Sequence, residues 1–282
     1  ELFFEEDAKL FIQKVDKKDL VSCEDIKPKQ LFFSENEQRQ LSMVGNSLMD
    51  ENYRTLTERL ESKGLSKGIA VLLYGAPGTG KTESVMQWAR QSGRDIVHVD
   101  LSASKSMWYG ESEKIVKDIF TRYRQQCKRS KIKPILLFNE ADGLFSKRKD
   151  MSRGSSVDQT ENTIQNILLE EMEKLDGILI ATTNLEENLD KAFERRFLFK
   201  IRLDKPGVEA KKNIWQDKLP ILSAEQAHKL ASEFDFSGGE IDNIVRKTTM
   251  QEVLEGGVPT MESIVKLCSQ EKVCTKNNRI GF

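Results

Sequence analysis

Apolar residues recur along this chain in two rhythms, and the switches between them lay out its elements. Short apolar runs read as strands: Ile69-Ala70-Val71-Leu72-Leu73-Tyr74, Ile135-Leu136-Leu137-Phe138 and Ile178-Leu179-Ile180-Ala181, which are unbroken, and the interrupted runs Asp95 to Asp100 and Phe197 to Ile201. Between these runs the apolar positions fall three and four apart, as on one face of a helix. The spacing predicts a helix over 83–91 with Val85, Met86 and Ala89 together, and one capped by Ser112 that carries Ile115, Ile119, Phe120, Tyr123 and Cys127 to about Lys128. A longer helix runs through Ile164, Ile167, Leu168, Met172 and Leu175. Upstream, Ser34 with Glu37 resembles a capping box ahead of Leu41, Val44 and Leu48, and a second helix covers Asn52 to Lys63, where Leu56 and Leu60 share a face and Gly64 is the stop.

Strands alternating with helices predict an α/β fold, a parallel sheet covered by helices on both faces. The pattern turns wholly helical after Asp204-Lys205-Pro206-Gly207, with breaks at Leu219-Pro220, Ser237-Gly238-Gly239 and Gly256-Gly257-Val258-Pro259, which predicts a small four-helix domain. The chain divides accordingly into a lead-in or linker (1–30), an α/β domain (31–204), a helical domain (205–275) and a tail (276–282). Residues 147–160, with Lys147-Arg148-Lys149 and Gly154-Ser155-Ser156, are the most loop-like stretch of the middle region.

Composition narrows the classes of partner. With 44 Lys plus Arg against 45 Asp plus Glu, the formal charge of -1 argues against a chain that coats nucleic acid or an anionic membrane. No apolar run is long enough to span a bilayer. Cys23, Cys127, Cys268 and Cys274 form no Cys-x-x-Cys pair, and His98 and His228 stand at no metal-binding spacing to them, so a reduced, cytoplasmic protein without structural zinc is expected. The first residue is Glu1 and not Met, which suggests a fragment of a longer product.

The most specific chemistry lies in Gly75-Ala76-Pro77-Gly78-Thr79-Gly80-Lys81-Thr82, a full match to the P-loop pattern between a strand and a helix. Glycines let successive backbone N–H groups curl around a polyphosphate, and the helix start adds partial positive charge. Lys81 neutralises terminal phosphates, and the Thr82 hydroxyl suits Mg²⁺. The third strand ends in Asn139-Glu140-Ala141-Asp142. Carboxylates often merely terminate an apolar strand. In a P-loop sheet, however, the strand beside the first one ends near the γ-phosphate, where Glu140 can polarise an attacking water.

With these two motifs the chain resembles the AAA+ ATPases, and within them the AAA subgroup and its stand-alone bacterial members. Leu136-Leu137-Phe138-Asn139-Glu140 stands where that family has an apolar run followed by Asp-Glu, so Asn139 would lie at the metal without the usual charge. Ala181-Thr182-Thr183-Asn184 is similar to the sensor 1 strand end, which implies that Asn184 orients water with Glu140. Leu189 to Phe197 looks like the segment with arginine fingers, which implies that Arg195 or Arg196 serves a neighbouring subunit; a surface pairing with Glu194 or Asp190 is the plainer reading. Met107-Trp108-Tyr109-Gly110-Glu111-Ser112-Glu113 resembles the first pore loop, so Trp108, with or without Tyr109, would grip substrate; packing under the following helix is the alternative. Phe236-Ser237-Gly238-Gly239-Glu240-Ile241 resembles the start of the third lid helix, which places Gly238 and Gly239 by the nucleotide where many relatives carry a sensor 2 arginine; Arg246 lies further along.

The resemblance implies ATP and Mg²⁺ as cofactors, ATP/ADP exchange, a homo-oligomeric ring, as a hexamer, and a polypeptide substrate drawn through its pore. Two other readings stay open at this point. One is a nucleic-acid motor or loader of the same family, against which the near-neutral charge counts. The other is a nucleotide-gated scaffold with weak hydrolysis, for which Asn139 speaks.

Overall fold

A computed structural model describes residues 20–100, 108–145, 156–184 and 190–277. The chain forms two compact units: 1–29, 40–74 and 81–202 make the first, and 30–39, 75–80 and 203–282 the second.

The first unit is built on a six-stranded sheet: β1 (Leu20–Val21), β2 (Ile69–Tyr74), β3 (Ile96–Asp100), β4 (Ile135–Asn139), β5 (Ile178–Thr183) and β6 (Phe199–Arg202), in the order β1-β3-β4-β5-β2-β6. All neighbours are parallel except β1, which pairs antiparallel with β3 through Leu20↔Val97 and Val21↔Ile96. The β1 strand comes from the stretch read as a lead-in, where two residues among charges leave no periodicity to detect. The expected adjacency of β2 and β4 is corrected: β5 lies between them, paired through Leu73↔Thr182 to one side and Phe138↔Ala181 to the other.

Continuous apolar runs make β2, β4 and β5 buried along nearly their whole length, as strands covered on both faces must be. One face packs Leu72, Leu136, Phe138 and Leu179 against α4 (Trp108–Arg129) and α6 (Ser156–Glu173), through Phe120, Tyr123, Ile164 and Leu168. The P-loop helix α3 (Lys81–Ser92) packs against β4 and β5 and buries Val85 and Ala89 as the spacing predicts. Each fully buried Leu or Ile here is worth about 1.5–3 kcal/mol over an exposed one. Tyr123 also fastens the entry edge of the sheet: its hydroxyl accepts the Ile178 N–H at 2.7 Å and lies 3.0 Å from the Pro134 carbonyl. A Cβ on Gly177 would fall 2.3 Å from that hydroxyl, which explains the glycine.

Two sequence expectations shift. The fourth helix starts at Trp108, one turn before Ser112, which therefore lies inside the helix and is not its cap. The helix of residues 50–62, α2 (Asp50–Ser62), buries Tyr53, whereas Leu56 and Leu60 are half-buried. The preceding helix, α1 (Glu35–Leu48), has its predicted box: Ser34 N–H donates to Glu37 Oε2 at 2.9 Å, and Glu37 N–H reaches Ser34 Oγ at 3.4 Å.

Arg94 is the buried polar staple of this unit. Its side chain is 0% exposed; Nε donates to the Leu48 carbonyl and Nη1 to that of Lys133, each at 2.7 Å. The guanidinium lies 4.6 Å from the Tyr53 ring centroid and 3.7 Å from Asp50 Oδ1. Burial pulls the guanidinium's pKa below its ordinary value and pushes that of the Tyr53 phenol up to about 12, which keeps the ring beneath the guanidinium neutral. Arg94→Met strands two carbonyls and an acid partner, and should destabilise the fold by about 3–5 kcal/mol. Equilibrium urea unfolding checks this; a midpoint equal to the parent's would show that the staple carries no weight.

The second unit holds four helices among its described residues: α8 (Val208–Lys218), α9 (Ala224–Glu233), α10 (Gly238–Glu255) and α11 (Met261–Asn277). Trp215, Leu230, Phe236, Ile241, Ile244 and Ile264 form its core. The helices begin and end at the predicted breaks, with Ser223 and Ser237 as capping-box starts and Gly256 as a left-handed stop.

Candidate active site

Within the first unit, the C-terminal ends of β4 and β5 and the start of α3 bring polar groups together. Lys81 and Thr82 open α3; Lys81 is largely buried. Asn139 Oδ1 accepts two hydroxyl hydrogen bonds, from Thr82 Oγ1 at 2.7 Å and from Thr182 Oγ1 at 2.9 Å. The chain then turns sharply. Glu140 takes φ 52, among the described residues the one non-glycine in the left-handed region, and its side chain is exposed. Such a conformation costs of order 1 kcal/mol and needs outside support. The support comes from β5: Glu140 N–H donates to Thr182 Oγ1 at 3.1 Å and Ala141 N–H to the Thr182 carbonyl at 2.9 Å. Asp142, the first residue of the short helix α5 (Asp142–Phe145), closes the corner by accepting from Thr183 Oγ1 at 2.5 Å and from the Asn184 N–H at 2.8 Å. Thus Lys81, Thr82, Asn139, Glu140 and Asn184 fall at neighbouring strand and helix ends, Glu140 and Asn184 with their side chains toward solvent.

The sequence reading passed over Thr182 and Asp142 as actors. The available signal was a pair of threonines ending an otherwise apolar strand, where nothing apolar remains to be packed.

The helix α7 (Lys191–Glu194) carries the two candidate fingers. Phe193 and Phe197 lock the segment against Phe145, with ring centroids 4.9 and 5.4 Å apart, and Asp190 caps the helix by accepting from Ala192 N–H at 2.7 Å. Arg195 is exposed, its Nε 3.4 Å from the Lys191 carbonyl. Arg196 is half-buried, donates to the Ala192 carbonyl at 2.9 Å and pairs with Glu173, not with the Glu194 or Asp190 considered from the sequence. Trp108 and Tyr109 lie in the first turn of α4, but their side chains, like residues 147–155 of the loop-like stretch, fall outside the described residues; residues 156–160 of that stretch are corrected to the start of the helix α6.

Within the second unit, the glycine-rich loop 75–80 meets the start of α10. Gly239 N–H donates to the Gly78 carbonyl at 3.0 Å. Gly78 has φ 74, and a Cβ there would fall 2.8 Å from Ser237 Oγ; a Cβ on Gly239 would fall 3.1 Å from Gly78 Cα. A side chain at Gly78 would be strained by its φ and would displace Ser237 Oγ, and one at Gly239 would need the loop backbone to give by a few tenths of an ångström. Ser237 and Glu240 complete the helix start as a reciprocal cap, at 2.7 Å and 3.3 Å. Arg246 is exposed further along α10.

The donor set suits a hard cation. The Thr82 hydroxyl gives its proton to Asn139 and keeps its lone pairs for a cation of the Mg²⁺ type, and the Asn139 amide oxygen, which already accepts two hydroxyl protons, stands behind it. The residues present fit the metal that a P-loop implies.

A P-loop that joins a parallel strand to its helix, in a chain whose neighbouring strands end in Asn139-Glu140 and Asn184, defines a P-loop nucleoside triphosphatase fold. Residues 71–205 match the family model described as ATPase family associated with various cellular activities (AAA). The chain is 29% identical over 202 residues to Protein CdcH of Halobacterium salinarum, covering 69% of this chain and 26% of that protein. It is 30% identical over 203 residues to human Fidgetin-like protein 1, covering 67% and 28% respectively. Against the proteasome-activating nucleotidase of Sulfurisphaera tokodaii it is 29% identical over 235 residues, 79% of this chain and 57% of that one. The chain belongs to the AAA+ ATPase family. It spans about a quarter of the first two relatives, as the 26% and 28% coverages state, and just over half of the third. Among the described residues no helix is long and apolar enough to cross a membrane.

Proposed function

We propose that this chain hydrolyses ATP in a Mg²⁺-dependent reaction as one subunit of a homo-oligomeric ring, a hexamer, and couples turnover to the remodelling of polypeptides. The observation that carries the reading is the hydrogen-bonded set Thr82, Asn139, Thr182 and Glu140 at the end of the P-loop helix and two central strands.

Lys81 binds the terminal phosphates by charge, and Gly75, Ala76, Gly78, Thr79 and Gly80 offer backbone N–H donors to them, while Pro77, which has no N–H, helps fix the path of the loop. Mg²⁺, held by Thr82 with Asn139 behind it, supplies charge neutralisation of the polyphosphate. Glu140, exposed on its strained turn, takes the proton of the attacking water, and Asn184 orients that water from the adjoining strand end. Gly238 and Gly239 let the lid helix approach the phosphate loop. Arg195 or Arg196 stabilises transition-state charge in a neighbouring subunit, and Trp108 with Tyr109 grips substrate. Support for a protein substrate is the family, with the nucleotidase named for activating a proteasome among the relatives; the charge of -1 speaks against a nucleic-acid track. The free thiols Cys23, Cys127 and Cys268 suit a reducing cytoplasm.

Asn139 is the observation that favours the second reading, a nucleotide-gated scaffold. An amide keeps the oxygen that accepts from Thr82 but drops the charge, so the Mg²⁺ requirement should be raised. Asn139→Asp should lower the half-saturating Mg²⁺ concentration for turnover by about tenfold, the worth of one charge-assisted hydrogen bond. A Mg²⁺ titration of both proteins at saturating ATP measures this. Turnover absent in the assembled parent at all Mg²⁺ concentrations, and present in Asn139→Asp, would favour the scaffold.

A further inference from the structure

We infer that Thr182 is a positioning residue that fixes which end of the Asn139 amide faces Thr82, and so keeps the neutral residue able to serve a metal site. The inference rests on the Mg²⁺-nucleotide reading above.

An Asn side chain has an accepting end and a donating end, and only one of them is useful here. With Oδ1 toward Thr82, the Thr82 hydroxyl donates its proton to the amide and keeps its lone pairs for a cation. In the reverse orientation the amide N–H₂ would donate to Thr82 Oγ1 and occupy a lone pair that the cation needs. A carboxylate has no such ambiguity, since both of its ends accept.

Thr182 resolves the ambiguity because its own hydrogen bonds are directional. Thr182 is 1% exposed, and its hydroxyl accepts the Glu140 N–H at 3.1 Å and donates to Asn139 Oδ1 at 2.9 Å. Reversing the amide would take away the acceptor of that buried hydroxyl and set a second donor beside the Glu140 N–H on its oxygen, at a cost of about tenfold or more in population. The position of β5 between β2 and β4 is what makes the contact possible: Thr182 stands in register with Leu73, and its strand neighbour Ala181 with Phe138, the residue before Asn139. Thr182 thus ties the metal-side residue to the backbone of the water-side residue, Glu140.

The test is the Mg²⁺ dependence of binding of a fluorescent ADP analogue, with binding in EDTA as the metal-free reference. Thr182→Val keeps the shape and removes the donor; it should raise the half-saturating Mg²⁺ by about tenfold with the EDTA affinity unchanged. Thr182→Ser, which keeps the hydroxyl, should return to within about twofold of the parent. In the Asn139→Asp background, where no amide can reverse, Thr182→Val should shift the Mg²⁺ requirement by less than about threefold. Equal shifts in both backgrounds, an unchanged requirement in Thr182→Val, or an EDTA affinity that falls in step would each overturn the role of Thr182 while leaving the metal reading in place. A parent whose binding is the same in EDTA and in Mg²⁺ would overturn both.

Discussion

Lys81→Ala loses nucleotide binding in a fluorescent-nucleotide titration, whereas Glu140→Gln binds as tightly as the parent and turns over at least about 10²-fold more slowly. In the proposed reaction the two residues would act at different moments. Lys81 opens α3 directly after the glycine loop, so its charge would meet phosphate in the ground state. Glu140 is held outside the strand by the Thr182 contacts and would have work only when water attacks. Glu140→Gly provides an internal control with opposite signs. It should stop turnover as Gln does, yet raise stability toward urea by about 1 kcal/mol, because φ 52 costs glycine nothing. Equal loss of affinity in Lys81→Ala and Glu140→Gln would remove the division of roles.

Arg195→Ala should cost about 10³-fold in turnover of the assembled protein without loss of nucleotide binding, as expected for an arginine supplied in trans. Of the two candidates, Arg195 has the freer reach. Arg196 is engaged by Glu173 and the Ala192 carbonyl, so its replacement acts first on the seating of α7 against α6. Phe145, Phe193 and Phe197 anchor the segment from below and leave Arg195 on the outside. The parent's specific activity should rise with protein concentration. Arg195→Ala subunits mixed with Lys81→Ala subunits should regain activity at the interfaces that combine an intact finger with an intact loop. Specific activity independent of concentration in a monomeric preparation would refute a shared site, and a larger loss in Arg196→Ala with its fold intact would move the finger by one residue.

Local chemistry was legible wherever it was contiguous. The β2 run and the breaks at Pro220, Gly238 and Gly256 fell where propensity and turn residues put them, because each depends on neighbours in sequence. Strand order was another matter. That β5 separates β2 from β4 follows from pairings more than forty residues distant, such as the Glu140–Thr182 contact at a separation of 42, and no local period encodes them. The same non-locality hid Thr182, whose meaning depends on what lies across the strand. The early start of α4 at Trp108 was masked by Gly110, Ser112 and the polar residues before them, which mimic a cap. No motif or period in the sequence marks Arg94, whose role depends on Leu48, Lys133 and Tyr53 closing around it.

The contact between Gly239 and Gly78 also bears on a third residue. A trans peptide points its carbonyl and the following N–H to opposite sides of one plane. Gly239 N–H, by holding the Gly78 carbonyl, therefore sets the plane of the Gly78–Thr79 peptide and with it the direction of the Thr79 N–H. One donor that phosphate would meet is aimed in advance by a helix start more than 150 residues further along the chain, which lowers the ordering entropy of binding. Separation of that helix start from the loop would free the peptide to rotate, and the first sign would be a weaker grip on phosphate, ahead of any loss of side-chain contact.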